Sequence, residues 1–139
     1  MEIDLNKYNA KFFVEGSQCN KKGIYEITLN NRGECKSFYI GISRVNFESR
    51  WIRHIGSILF QPDRWGVSKL LEDSSTSFNF AMLSETKEGL EDDERNAIRD
   101  KKPLTQYIEG KDSDRLLPRK TIENNIADWL KNNSGEEML

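Results

Sequence analysis

Along Gly23-Ile24-Tyr25-Glu26-Ile27-Thr28-Leu29 the side chains are β-branched or aromatic, with Tyr25, Ile27 and Leu29 on one side of a pleat and Ile24, Glu26 and Thr28 on the other. That pattern predicts a strand. Glu34 to Ile42 reads the same way, and Asn31-Arg32-Gly33 between them suits a three-residue hairpin loop whose glycine takes the left-handed position. With that loop Asn30 pairs with Glu34, and counting outward sets Tyr25 directly opposite Tyr39 on the same face.

Helical spacing takes over at Asn46. A stripe of Phe47, Trp51, Ile55, Ile58 and Leu59 predicts a helix over Asn46–Phe60 with Asn46 as its cap, and Arg50, His54 and Ser57 form a polar ridge beside the stripe. After Pro62, Asp63 to Glu72 reads as a short helix burying Val67, Leu70 and Leu71. Ser77–Leu83 alternates as a strand. Glu88–Asp100 is a helix stopped by Pro103, with Leu90, Ala97 and Ile98 on its buried face. Glu94 falls inside that apolar face, four residues from Leu90 and four from Ile98, whereas Glu91, Asp92, Asp93 and Arg95 face elsewhere. A carboxylate there is costly unless it is paired, with Arg99 or Lys101 for instance, or binds a metal ion. Thr121–Lys131 gives a last amphipathic helix through Ile122, Ile126, Trp129 and Leu130, and Asn132–Leu139 reads as a frayed end.

The 139 residues are enough for one domain with a core of its own. With 32% charged and 36% apolar residues the chain reads as soluble and globular. No apolar run approaches the roughly 20 residues that span a bilayer, which excludes a membrane-spanning helix. Neither a basic start nor an apolar stretch of signal type opens the sequence, so a cytoplasmic setting is expected. Cys19 and Cys35 lack the spacing and the histidine partners of a zinc site and are read as reduced thiols. The net charge of -2 is no help to a nucleic-acid binder, but charge is polarised along the chain. Arg44, Arg50, Arg53, Arg64 and Lys69 stand against Glu48 and Asp63 in one segment, while Glu85 to Glu94 holds six acids and Lys87.

Gly23-Ile24-Tyr25 and Tyr39-Ile40-Gly41, on consecutive strands, are similar to the two tripeptides that name the GIY-YIG nuclease family. Arg50 resembles that family's helix arginine, His54 the His or Tyr four residues later, and Glu94 its metal-binding glutamate. Gln106, twelve residues beyond Glu94, stands where an asparagine is usual. The resemblance runs from about Gly23 to Gln106. Ile42 replaces a common lysine, and 13 residues separate the two tyrosines, a slightly long spacer.

The resemblance implies an α+β fold, a small antiparallel three-stranded sheet of mixed order flanked by helices. Residues 1–22 show little periodicity and are read as an N-terminal extension packing on the domain, the resemblance places a nuclease domain over 23–110, and a C-terminal helix and tail take 111–139. The resemblance further implies an endonuclease that hydrolyses DNA phosphodiester bonds with Mg2+ or Mn2+, of restriction or phage and mobile-element type, with DNA as partner and a homodimer as one arrangement. Tyr25, Tyr39, Arg50, His54, Glu94 and Gln106 are the implied catalytic set, with Glu94 holding the metal, Tyr25 as general base and Tyr39 contacting phosphate or nucleophile. Arg44, Arg53, Arg64 and Lys69 are candidates for contacting DNA, and Trp65 is either a further contact or a core residue. The alternative is a module of the same fold that binds nucleic acid or protein with impaired catalysis.

Overall fold

A computed structural model describes residues 1–3, 8–85, 88–106 and 115–132. Their elements are β1 (Glu2–Ile3), β2 (Lys11–Val14), β3 (Gly23–Asn31), β4 (Glu34–Ser43), α1 (Phe47–Phe60), β5 (Thr76–Ser84), α2 (Leu90–Lys101) and α3 (Arg119–Asn132). The class is α+β, as expected. The sheet is larger than expected: five strands in the order β1-β2-β5-β3-β4, with β2 and β5 parallel and the other pairs antiparallel. Residues 1–22 therefore do more than pack on the domain, because two of the strands come from them. The expected tail beyond Asn132 and the domain edge at residues 110 and 111 lie outside the described residues.

The β3–β4 hairpin corrects the expected register in two places. Arg32 and Gly33 both take positive φ, 52° and 86°, so the loop has two residues rather than three and Asn31 pairs with Glu34. Two-residue loops of this kind match the right-handed twist of the strands. A bulge then shifts the pairing between Ile27 and Thr28, which leaves Phe38 as the extra residue. Tyr25 consequently faces Gly41, and Tyr39 faces Ile27. The bulge also brings two successive rings, Phe38 and Tyr39, against Trp65, with centroids 5.8 and 5.7 Å away.

The two sheet faces are unequally covered. Tyr25, Ile27, Leu29, Phe12, Phe78 and Phe80 join Phe47, Trp51, Ile55 and Ile58 of α1 and Ile122 and Ile126 of α3 in the main core. On the opposite face Ile24 and Ile40 meet Leu90 and Ile98 of α2. Helix α1 starts where its cap predicts: Asn46 Oδ1 accepts the Ser49 N–H at 2.8 Å. The segment after Pro62 is not the helix expected over Asp63–Glu72. It is a run of turns closing with a 3-10 turn at Leu70–Glu72, and Gly66 at φ +70° breaks the helical path. Val67, Leu70 and Leu71 are nevertheless buried, because that path still lays them on the core. Among the described residues no helix is long and apolar enough to cross a membrane.

Candidate active site

Tyr25 projects from β3 toward α1, and its ring is ringed by aromatics: Tyr39 at 6.3 Å, Phe47 at 5.9 Å, Trp51 at 6.5 Å and His54 at 5.6 Å between centroids. Its hydroxyl lies 2.5 Å from His54 Nε2, one turn beyond Arg50 on α1. The space for that hydroxyl exists because Gly41 has no side chain. A Cβ there would stand 2.5 Å from the Tyr25 oxygen and 2.9 Å from the Tyr39 ring. The hairpin register and the glycine thus position one phenol jointly.

Tyr39 packs 4.7 Å from the His54 ring, so the histidine is held between both tyrosines. Behind them stands Trp65, whose Nε1 donates to Ser57 Oγ at 2.9 Å and whose ring meets His54 edge-on at 5.9 Å. Trp65 is a buried wall of the site, which decides between the two roles open to it from sequence.

Burial dominates the electrostatics. It pushes the Tyr25 phenol well above its ordinary 10; Tyr39 and Glu94 push it further, while Arg50 opposes them by charge and by hydrogen bond. His54 is pushed down to about 3, by burial first and then by Arg50 and Arg53. At neutral pH the contact is therefore between a neutral phenol and a neutral imidazole. Burial works against the Arg50 guanidinium, but Tyr25, Tyr39 and Glu94 outweigh it and hold it above its usual value. The Arg50 Nε is buried with no hydrogen-bond partner among the described residues, a cost the fold carries at this spot.

His54 makes acid stability a test of this arrangement. Its native value lies below the unfolded 6.5, so on acidification the unfolded chain takes up the proton first. The contribution is complete above about pH 6.5 and is lost as pH falls toward about 3. Replacing His54 with Gln removes this titration, so the loss of stability between those pH values should be shallower in the variant. Denaturant melts of both proteins across the window measure it, and equal slopes would show that His54 is not held neutral.

Glu94 is 9% exposed and lies on the α2 face between buried Leu90 and Ile98, as its spacing predicts. Its charge acts on Tyr25 and Arg50 although α2 packs on the opposite face of the sheet. Of the two basic partners weighed for it, Lys101 sits 3.4 Å from Glu26 instead. No three His, Cys, Asp or Glu side chains gather as a metal cage among the described residues. Glu94 is a carboxylate donor of the kind that a hard, oxygen-preferring cation takes.

Gln106 is placed differently from the others. Its amide is wholly engaged with the edge of β4: Ile40 N–H donates to Oε1 at 2.8 Å, and Nε2 donates to the Ile40 carbonyl at 2.7 Å. Beside it Leu104 N–H donates to the Ser37 carbonyl at 3.0 Å, and the Thr105 hydroxyl donates to the Phe38 carbonyl at 2.5 Å. These bonds brace the strand that carries Tyr39 and Gly41.

The basic candidates are scattered. Arg53 and Lys69 are exposed. Arg44 is paired with Glu91 at the start of α2, and Arg64 donates to the Leu117 carbonyl at 2.7 Å. Thr105 supports the site but was not distinguishable in sequence from an ordinary core residue, whereas Ser57 stood on the ridge with Arg50 and His54 from its spacing alone. Comparison with protein-family models, with curated proteins and with solved structures found no match.

Proposed function

We propose that this chain is an endonuclease that hydrolyses DNA phosphodiester bonds at the cluster of Tyr25, Tyr39, Arg50, His54 and Glu94. The observation that carries the reading is convergence. Residues from β3, β4, α1 and α2, separated by up to 69 positions, act on one another electrostatically around a 2.5 Å Tyr25–His54 contact. A fold needing only a core would fill that place with apolar side chains, because buried polar clusters seldom add net stability. The resemblance of Gly23-Ile24-Tyr25 and Tyr39-Ile40-Gly41 to the GIY-YIG motifs supports the same reading.

The chemistry assigns each residue a task. Arg50, half-buried and cationic, offers a planar fork to the scissile phosphate and offsets charge that builds on its oxygens. Tyr39 orients the phosphate or the attacking water. Tyr25 and His54 together accept the proton that water loses. A cation of the magnesium type would neutralise phosphoryl charge and assist the departing oxyanion, and Glu94 is the residue that would hold it.

A plasmid-nicking assay with magnesium, manganese or chelator tests the reading, and cleavage equal in chelator would reject it. Arg50→Ala should cost at least about 2 kcal/mol of transition-state stabilisation, the scale of one lost contact to a developing anion, with a smaller loss of DNA affinity. Equal losses in binding and cleavage would make Arg50 a ground-state anchor instead.

One observation favours a binding module without catalysis: Tyr25 is 0% exposed, so water does not reach its hydroxyl in this conformation. The same nicking assay separates the two, since a module of that kind binds DNA without cutting it.

A further inference from the structure

Helix α1 divides its circumference among three duties. Phe47, Trp51, Ile55 and Ile58 are buried, and Arg50 and His54 line the candidate site. The remaining face is open: Ile52 is 61% and Phe60 90% exposed, with Arg53 exposed between them. An aromatic ring so fully in water is disfavoured by its apolar area, and the main core does not use it.

Arg53 and Phe60 are seven residues apart on one helix. They therefore lie on nearly the same line, about 10 Å apart along the axis. That span equals about three stacked base steps of one DNA strand. A phosphate held at Arg53 and a base met by Phe60 would belong to the same short stretch, beside the phosphate at Arg50. Charge favours this occupant over an apolar protein face. Arg50 and Arg53 stand on the same helix and Lys69 is exposed on the following segment, and together they outnumber the acids there, Glu48 and Asp63.

We propose that Phe60 selects the substrate by stacking on a base that is unpaired or lifted from the duplex, making interrupted or branched DNA the favoured class over continuous duplex. The inference rests on the nuclease reading above. A benzene ring has a face to stack on and no donor or acceptor to read base edges, so the selection is for structure and not for sequence. In continuous duplex the same ring would have to unstack a base step, at a cost in free energy. At a bulge, flap or gap that cost has been met already.

The experiment compares a fully paired duplex with the same duplex carrying one bulged nucleotide, using wild type, Phe60→Ala, Phe60→Leu and Phe60→Trp. Binding is measured in chelator and cleavage in manganese. Phe60 is exposed, so the variants should fold, which circular dichroism checks. Wild type should prefer the bulged duplex by at least about tenfold, the effect of one base stacked on an aromatic ring. Alanine and leucine should remove that preference without changing affinity for the paired duplex, and tryptophan should keep it. Equal behaviour of wild type and Phe60→Ala on both duplexes would overturn the proposal, as would leucine matching phenylalanine. A wild-type dimer that Phe60→Ala turns into a monomer by sedimentation, with no change in DNA preference, would assign the face to a second copy and overturn it too. If wild type binds and cuts both duplexes equally, Phe60 loses its role while the nuclease reading stands. If it binds neither, the nuclease reading itself fails.

Discussion

Glu94→Gln is expected to reduce metal-dependent cleavage by a hundredfold or more while the fold stays intact. The first half follows from charge. Glutamine keeps the shape but gives up the anion that a hard cation requires, and loss of that cation's stabilisation of phosphoryl charge is worth several kcal/mol. The second half follows from burial. Glu94 is buried between Leu90 and Ile98, so its carboxylate bears a desolvation cost, but its charge also acts on Arg50, and an uncharged isostere of the same shape gives up both effects together. Glu94→Asp should retain some activity but need a higher manganese concentration for half-maximal rate, because the shorter side chain moves the oxygens back. Nicking rates across a manganese titration and thermal melts in chelator measure both halves. Full activity in Glu94→Gln would remove the residue from the site, and a large loss of stability would mean that its charge serves the fold.

Long periodic elements were legible in the sequence because one periodicity ruled each of them. Helix α1 could be read from its cap and stripe, α2 from Leu90, Ala97 and Ile98, and β3, β4 and β5 from alternation. β2 was not legible. Lys11-Phe12-Phe13-Val14 is four residues long, and its pairing partner β5 lies 66 positions away, so nothing local announces the pairing. The bulge at Phe38 was invisible for a related reason: an extra residue in a strand leaves alternation almost unchanged while it moves every later pairing by one. Tyr25 and Tyr39 were correctly expected on one face, and the glycine facing Tyr25 was not foreseen. Glu94 was legible as an inward acid by spacing alone. Its influence across the sheet was not, because helical spacing tells which way a side chain leaves its helix and nothing of what lies behind the strand it meets. Gln106 shows the opposite limit, since a motif position suggests chemistry while both ends of its amide are bonded to Ile40.

Tyr25→Phe should lower turnover by at least about a hundredfold with DNA affinity nearly unchanged, the low end for loss of general base catalysis. In the free protein this tyrosine is a poor base, since burial holds its proton and His54, down at about 3, resists accepting it. The causes of those shifts indicate what DNA changes. Arg50 and Arg53 contribute to the depression of His54, and a bound phosphate would neutralise both, removing that part of the shift while burial keeps the rest. On the proposed reading, proton transfer from water through Tyr25 to His54 would therefore be tied to a substrate in place. Without the phenol, hydroxide must do the work, so the activity of Tyr25→Phe should recover partly at high pH. Tyr39→Phe should lose rate evenly across pH, as expected of a group that orients phosphate and carries no proton. Single-turnover cleavage rates of both variants over a range of pH decide the matter. Rescue in Tyr39→Phe alone would exchange the two roles. Rescue in neither would take proton abstraction away from both phenols and leave His54 as the remaining base in the cluster.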